Sequence, residues 1–241
     1  MKVHEPISLV ISCEHGGNQV PEPWSALFTD HKSVLYTHRA YDPGALELAR
    51  FIANLLNVPL IANQITRLLV ELNRSPNHPR LYSEYTRTLS PVEREKMFLQ
   101  VYKPYRDKVE KAVHDYISEG RQVVHLSVHT FSPEIDGKVR DADIGLLYDP
   151  AFLGEKQFCI QWQQLLKKKS PRLSIRRNYP YRGNKDGFTT FLRKKWAGRA
   201  GAYLGLELEV NQRYYWNESG RAREALRISL AETLLELLAS R

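Results

Sequence analysis

The stretch Ile7-Ser8-Leu9-Val10-Ile11-Ser12-Cys13-Glu14-His15-Gly16-Gly17-Asn18 decides the fold. An apolar, strand-like run from Ile7 to Ile11 ends in a histidine followed at once by two glycines. Open α/β sheets hold their ligands beyond the carboxyl ends of strands, and glycine lets a neighbouring backbone or a substrate come close. His15 is therefore a candidate metal ligand; an incidental turn histidine is the plainer alternative.

A second strand end carries another histidine. Val123-Val124-His125-Leu126-Ser127-Val128-His129-Thr130-Phe131-Ser132-Pro133 reads as a buried strand stopped by Ser-Pro, with His129 near its end. His125 shares the parity of His129 but lies roughly 13 Å further back along an extended chain, which marks it as a satisfied core histidine. Strand-like runs at 7–12, 58–62, 65–72, 123–129, 144–148 and 203–210 alternate with helical patterns. Asp42 caps the first helix, with Pro43 at its first position. Ser90-Pro91-Val92-Glu93 is a capping box that opens a second helix, running to about Glu119 with a kink or break near Pro104. Further helices are expected at 151–169, 189–197 and 219–239. Such alternation predicts an α/β fold of three layers, a mainly parallel or mixed sheet with helices on both faces, built as one domain over 1–241. Two irregular stretches interrupt the pattern. Asn73–Ser90 is a long loop directly after a buried run, and 178–187 combines Tyr181, Arg182 and turn glycines in the manner of a binding loop.

Composition narrows the function classes. The 241 residues are 42% hydrophobic and 26% charged, as in ordinary globular proteins. No run approaches the roughly 20 apolar residues of a membrane span, and residues 1–6 lack the basic-then-apolar layout of a secretory signal, so a cytoplasmic protein without a membrane partner is expected. Cys13 and Cys159 are the two cysteines and lie far apart, which excludes a disulfide framework and a thiolate cluster. Any metal must use histidine, carboxylate or amide ligands. The net charge of +8 is scattered, with its densest runs, Lys167–Lys169 and Arg193–Lys195, at helix ends. No nucleic-acid module accompanies it, and no nucleic-acid partner is expected.

Catalytic zinc typically takes three protein ligands and keeps one position open. With His15 and His129 in hand, the third candidates are Asp42, Glu14 and Asn18. Asp42 offers an anionic oxygen at a helix start and is preferred, plain helix capping being its alternative role. Glu14 points away from His15 on an extended segment, and the neutral amide of Asn18 suits a hard cation better. In Leu206-Glu207-Leu208-Glu209-Val210 the alternation puts both carboxylates on one face of a strand, which is costly unless they are used or paired. Glu209, nearer the carboxyl end, is the first choice for the base of a hydrolysis and Glu207 the second. Arg74 with Asn73, and also Arg140, Tyr181 and Arg182, are candidates for gripping an acidic substrate.

These blocks, taken in order with Tyr41-Asp42-Pro43-Gly44-Ala45, Leu72-Asn73-Arg74-Ser75, Arg177-Asn178-Tyr179-Pro180-Tyr181-Arg182-Gly183 and Glu207-Leu208-Glu209-Val210-Asn211-Gln212, resemble the N-formylglutamate amidohydrolase family over nearly the whole chain. The resemblance implies a phosphorylase/hydrolase-like fold, one zinc ion, and hydrolysis of the amide of a small N-acyl acidic amino acid. Asn73-Arg74 is similar to the carboxylate-binding Asn-Arg pair of zinc carboxypeptidases and aspartoacylases. Their His-x-x-Glu motif is replaced here by His15-Gly16-Gly17-Asn18, which sets Asn18 aside. Zinc-dependent peptidoglycan amidases also begin with a His-Gly-Gly segment and take an acidic ligand near the next helix start, which favours Asp42. A peptidoglycan or peptide amidase, and a non-catalytic binder of an acidic metabolite, are the alternative readings.

Overall fold

The structure, a computed structural model, describes residues 7–199, 201–216 and 220–241. Six strands form one sheet: β1 (Ile7–Cys13), β2 (Leu60–Ala62), β3 (Gln122–Phe131), β6 (Ile144–Leu147), β7 (Ile175–Arg177) and β8 (Tyr203–Asn211), in the order β2-β1-β3-β8-β6-β7. The pairings are parallel except for β6, which runs antiparallel to β8. β4 (Glu134–Ile135) and β5 (Lys138–Val139) make a separate two-stranded ribbon. The expected three-layer α/β architecture with a mixed sheet is therefore present.

Side-chain parity along the central strands separates the two faces. Leu9, Ile11 and Cys13 of β1, Val124, Leu126 and Val128 of β3, and Leu204, Leu206, Leu208 and Val210 of β8 pack against α1 (Ala45–Leu56), α4 (Leu153–Lys169) and α7 (Gly220–Ala239). The other parity holds Ser12 on β1, His125, Ser127 and His129 on β3, and Tyr203, Glu207 and Glu209 on β8. That face is covered by α2 (Pro91–Met97), α3 (Lys103–Ser118), α5 (Phe188–Lys195) and the irregular chain 65–89. Each face thus has its own buried apolar cluster, and the second cluster, built on Met97, Val109, Phe188 and Leu192, lies on the face that also carries the polar side chains. His125 is the satisfied core histidine expected: its Nδ1 meets the Tyr203 hydroxyl at 2.7 Å and its Nε2 the Ser12 hydroxyl at 2.8 Å.

Several expectations are corrected. Residues 65–72 are not a strand; Ile65 makes a single bridge to Gln19, and the rest is turn. Their backbone N–H groups bond to scattered acceptors, Thr66 to Gln19, Arg67 to Ala40 and Glu71 to Leu81, so no neighbouring strand satisfies them as a ladder. The apolar run is buried all the same, as Leu68, Leu69, Val70 and Leu72 pack under the second cluster. Asp42 does not cap α1, which begins three residues later behind Gly44 with no side-chain cap. The helix expected from Ser90 does carry its capping box, but it is not broken at Pro104. A π-helical turn at Phe98–Tyr102, with the Lys103 N–H bonded to the Phe98 carbonyl, leads straight into α3, so the helix runs on through Pro104 and lacks only the bond that this residue cannot make. β7 and the ribbon are too short to have been legible, and Ser219, expected to open the last helix, lies outside the described residues. No helix among the described residues is long and apolar enough to cross a membrane.

Candidate active site

The turn after β1 sets the first ligand. Gly16 and Gly17 lie against the backbone of Asn63 and Gln64, where an added Cβ would sit 2.7 and 2.5 Å from their carbonyl oxygens. The glycines therefore admit a backbone segment, not a substrate. The Asp42 N–H donates to the His15 carbonyl at 2.9 Å, which carries the start of the next helix to the same place. His129 arrives from β3 on the polar face of the sheet.

The three side chains converge on one atom. Nδ1 of His15 and Nδ1 of His129 lie 3.2 and 3.0 Å from the same Oδ2 of Asp42, and all three groups are buried. Each imidazole has its other nitrogen against a separate carboxylate. Nε2 of His15 meets Glu71 Oε1 at 2.5 Å, and Nε2 of His129 lies 3.2 Å from Glu14 Oε2. Glu14 also accepts from the hydroxyls of Ser12, Tyr105 and Ser127 at 2.9, 3.0 and 2.6 Å. Arg67 donates to the second oxygen of Asp42 at 3.3 Å and to Glu71 at 2.6 Å. Glu14, an alternative third ligand by sequence, thus faces the far nitrogen of His129. Asn18 donates its amide to the Leu35 carbonyl instead.

The electrostatics follow from this packing. Burial alone would raise the three carboxylates, but His129 and Ser127 on Glu14, the two histidines and Arg67 on Asp42, and Arg67 and His15 on Glu71 outweigh it and hold all three well below the usual range. Burial would likewise lower both histidines, with Arg67 adding to this at His15. The carboxylates reverse it, leaving His15 raised and His129 raised strongly.

A metal fits this donor set. Donating from Nδ1 to Asp42 and from Nε2 to a second carboxylate at the same time would require each ring to carry two protons. A divalent ion in place of those protons leaves each Nε2–H to its own carboxylate, the usual outer arrangement of metal-bound histidines. Ligands of a tetrahedral ion with bonds of about 2.0 Å stand roughly 3.3 Å apart, close to the 3.0 and 3.2 Å seen to Asp42. The three ligand atoms lie within 4.8 Å of one another.

Beside this cluster opens a cavity of about 420 Å³. Glu207 and Glu209 both line it, from the polar face of β8. Glu207 accepts from the Thr189 hydroxyl at 2.8 Å, whereas Oε2 of Glu209 is buried with no hydrogen-bond partner among the described residues. Burial, helped by Asp42 and Glu207 and opposed by His129, pushes the Glu209 carboxyl up to about 8. Asn73, Arg74, Tyr181 and Arg182 reach the cavity as expected, and Arg140 does not line it. Arg140 instead donates to the Tyr181 hydroxyl at 3.1 Å and stacks over that ring. Asn73 and Arg74 also fasten the second loop to the first: Asn73 Oδ1 accepts from Phe188 N–H at 2.7 Å, and Arg74 donates to the Asp186 carbonyl at 2.5 Å.

Sequence reasoning missed Arg67, Glu71 and Lys185. Lys185 lines the cavity, and Glu71 had a usable signal: it is a lone acid in the buried run Leu68-Leu69-Val70-Glu71-Leu72.

A crystal structure of a gene product of Agrobacterium tumefaciens is 24% identical, with a TM-score of 0.75, covering 97% of this chain and 92% of that one. The N-formylglutamate amidohydrolase of Ralstonia eutropha JMP134 is 18% identical, with a TM-score of 0.71 and coverage of 99% and 95%. Both likenesses show the fold. No curated protein matches the chain. The family model described as N-formylglutamate amidohydrolase matches residues 7–216, and the chain therefore belongs to the N-formylglutamate amidohydrolase family.

Proposed function

We propose that this chain is a zinc-dependent amidohydrolase that cleaves the amide of a small N-acyl acidic amino acid. The observation that carries this reading is the convergence of two Nδ1 atoms on one Asp42 oxygen beside a buried carboxyl without a partner. His15, Asp42 and His129 hold one zinc ion, which when bound supplies Lewis-acid activation of water and of the amide carbonyl.

The chain's own residues do the rest. Glu209 takes the proton of the attacking water and gives it to the departing nitrogen, so that one C–O bond forms, the C–N bond breaks, and a carboxylic acid and an amine leave. Burial places its carboxyl where a group can both accept and release a proton near neutral pH. Glu207, tied to Thr189, is the second choice for this role. Arg74, Asn73 and Arg182 bind the substrate carboxylate from the cavity wall, Lys185 adds a further cation, and Tyr181 is held over the rim by Arg140. Membrane and nucleic-acid partners have no part in this reading.

A panel of N-formyl, N-acetyl and larger N-acyl amino acids, incubated with zinc-loaded protein, tests it. Release of the free amino acid from acidic members of the panel, lost on chelation and restored by zinc, is the expected result. Binding of these compounds without turnover in zinc-loaded protein would instead support a non-catalytic binder.

A further inference from the structure

Arg106, on α3, is buried behind the cavity wall at 3% exposure, and the carboxylates that act on it, Glu110, Glu14 and Asp186, do so through space. Burying a guanidinium without a contacting anion is costly. The compensation here is specific. The rings of Phe188, Phe191 and Tyr102 surround it at 4.0, 4.5 and 4.9 Å. Its Nη1 donates to the carbonyls of Leu72 and Arg74 at 3.1 and 2.8 Å, and its Nη2 finds no partner among the described residues.

The Leu72 carbonyl belongs to the same peptide unit as the Asn73 N–H. In a planar trans peptide these two groups point in opposite directions. With its oxygen on Arg106, the unit sends its N–H the other way, to Glu71 Oε1 at 3.0 Å. That same oxygen of Glu71 faces His15 Nε2. A cation on the carbonyl makes the N–H of the same peptide a stronger donor, which anchors Glu71 more firmly.

We propose that Arg106 is a positioning residue for His15. It fixes the Leu72–Asn73 peptide, the peptide fixes Glu71, and Glu71 sets the angle and proton of the imidazole. This rests on the reading of His15 as a metal ligand. His129 serves as the comparison in the charge-preserving Arg106→Lys variant, since its Nε2 is held by Glu14 and Ser127 and Glu14 acts on Arg106 only through space.

The test is calorimetric titration of metal-free protein with Zn²⁺. Arg106→Met is expected to bind zinc about 10-fold more weakly than the original chain, the low end of what loss of an outer partner of a metal histidine costs. Arg106→Lys, which keeps the charge without the planar fork, is expected to fall between the two. A folded Arg106→Met protein with unchanged zinc affinity overturns the proposal, because a purely packing role would lower only the melting temperature. Should Arg106→Met not fold, imidazole ¹⁵N signals of metal-free Arg106→Lys decide: movement at His15 with His129 steady is expected, and an unmoved His15 overturns it. An original chain that takes up no zinc overturns the metal reading instead, and the nitrogen signals then judge the Arg106 linkage alone.

Discussion

The two histidines of the site are held in opposite ways. His129 sits on a central strand, and its carboxylate partner, Glu14, is wholly buried and bonded to three hydroxyls contributed by β1, β3 and α3. His15 sits in a turn, and its partner, Glu71, belongs to irregular chain anchored by Arg67 and by one peptide N–H. Both rings nevertheless present Nδ1 to the same oxygen of Asp42. One half of the site is thus preorganised by the sheet and the other by loops. Asp42, at the head of α1, is where they meet.

The largest expected effect lies at that meeting point. Asp42→Ala removes the carboxylate both rings share, so stoichiometric metal retention should be lost, as read by elemental analysis after desalting. Glu209→Gln should lower turnover by about 10²- to 10⁴-fold with metal content intact; full activity in that variant would transfer the base role to Glu207.

The same residue sets a pH dependence of stability. The folded chain keeps a proton on Glu209 up to about pH 8, whereas the unfolded chain releases it near 4.5. The raised histidines act in the same direction, holding protons in the folded state that the unfolded state gives up near 6.5. Metal-free protein should therefore lose stability as pH rises from about 5 to 8. Glu209→Gln should flatten part of that loss, as melting temperatures across this range would show.

Next come the outer carboxylates. Glu14→Gln and Glu71→Gln should each weaken zinc binding by about 10- to 100-fold. The first should cost more stability in chemical denaturation than the second, by about 1–3 kcal/mol, because it disturbs three buried hydroxyl partners. Equal losses of stability would erase the distinction between the sheet-borne and loop-borne halves. The smallest effect is expected from Lys185→Ala at the exposed rim, a rise of a few-fold in KM with kcat retained.

This division also governs how much could be read from sequence. The central strands, their order of chemistry-bearing residues, and the pairing of His15 with His129 and Asp42 were legible, because strand alternation itself places Ser127, His129, Glu207 and Glu209 on one face. Arg67 was not, and Glu71 showed only as a lone acid in an apolar run, since their partners come from residues scattered along the chain and that run looks like a strand. Asn73 and Arg74 show a further limit. Their place at the head of a long loop and their likeness to a known Asn-Arg pair pointed to substrate binding, yet part of their hydrogen-bonding capacity ties residues 186–188 to the first loop. Nothing local in the sequence encodes a contact across more than a hundred residues.

The central claim is that two loosely related pieces of chain make one zinc site. Competition titration of metal-free protein against a chromophoric zinc chelator tests it most directly. One tightly bound zinc per chain is expected, with a large loss of affinity in His15→Ala and His129→Ala alike. Zinc binding that survives either replacement unchanged, or no stoichiometric binding in the original chain, would contradict it.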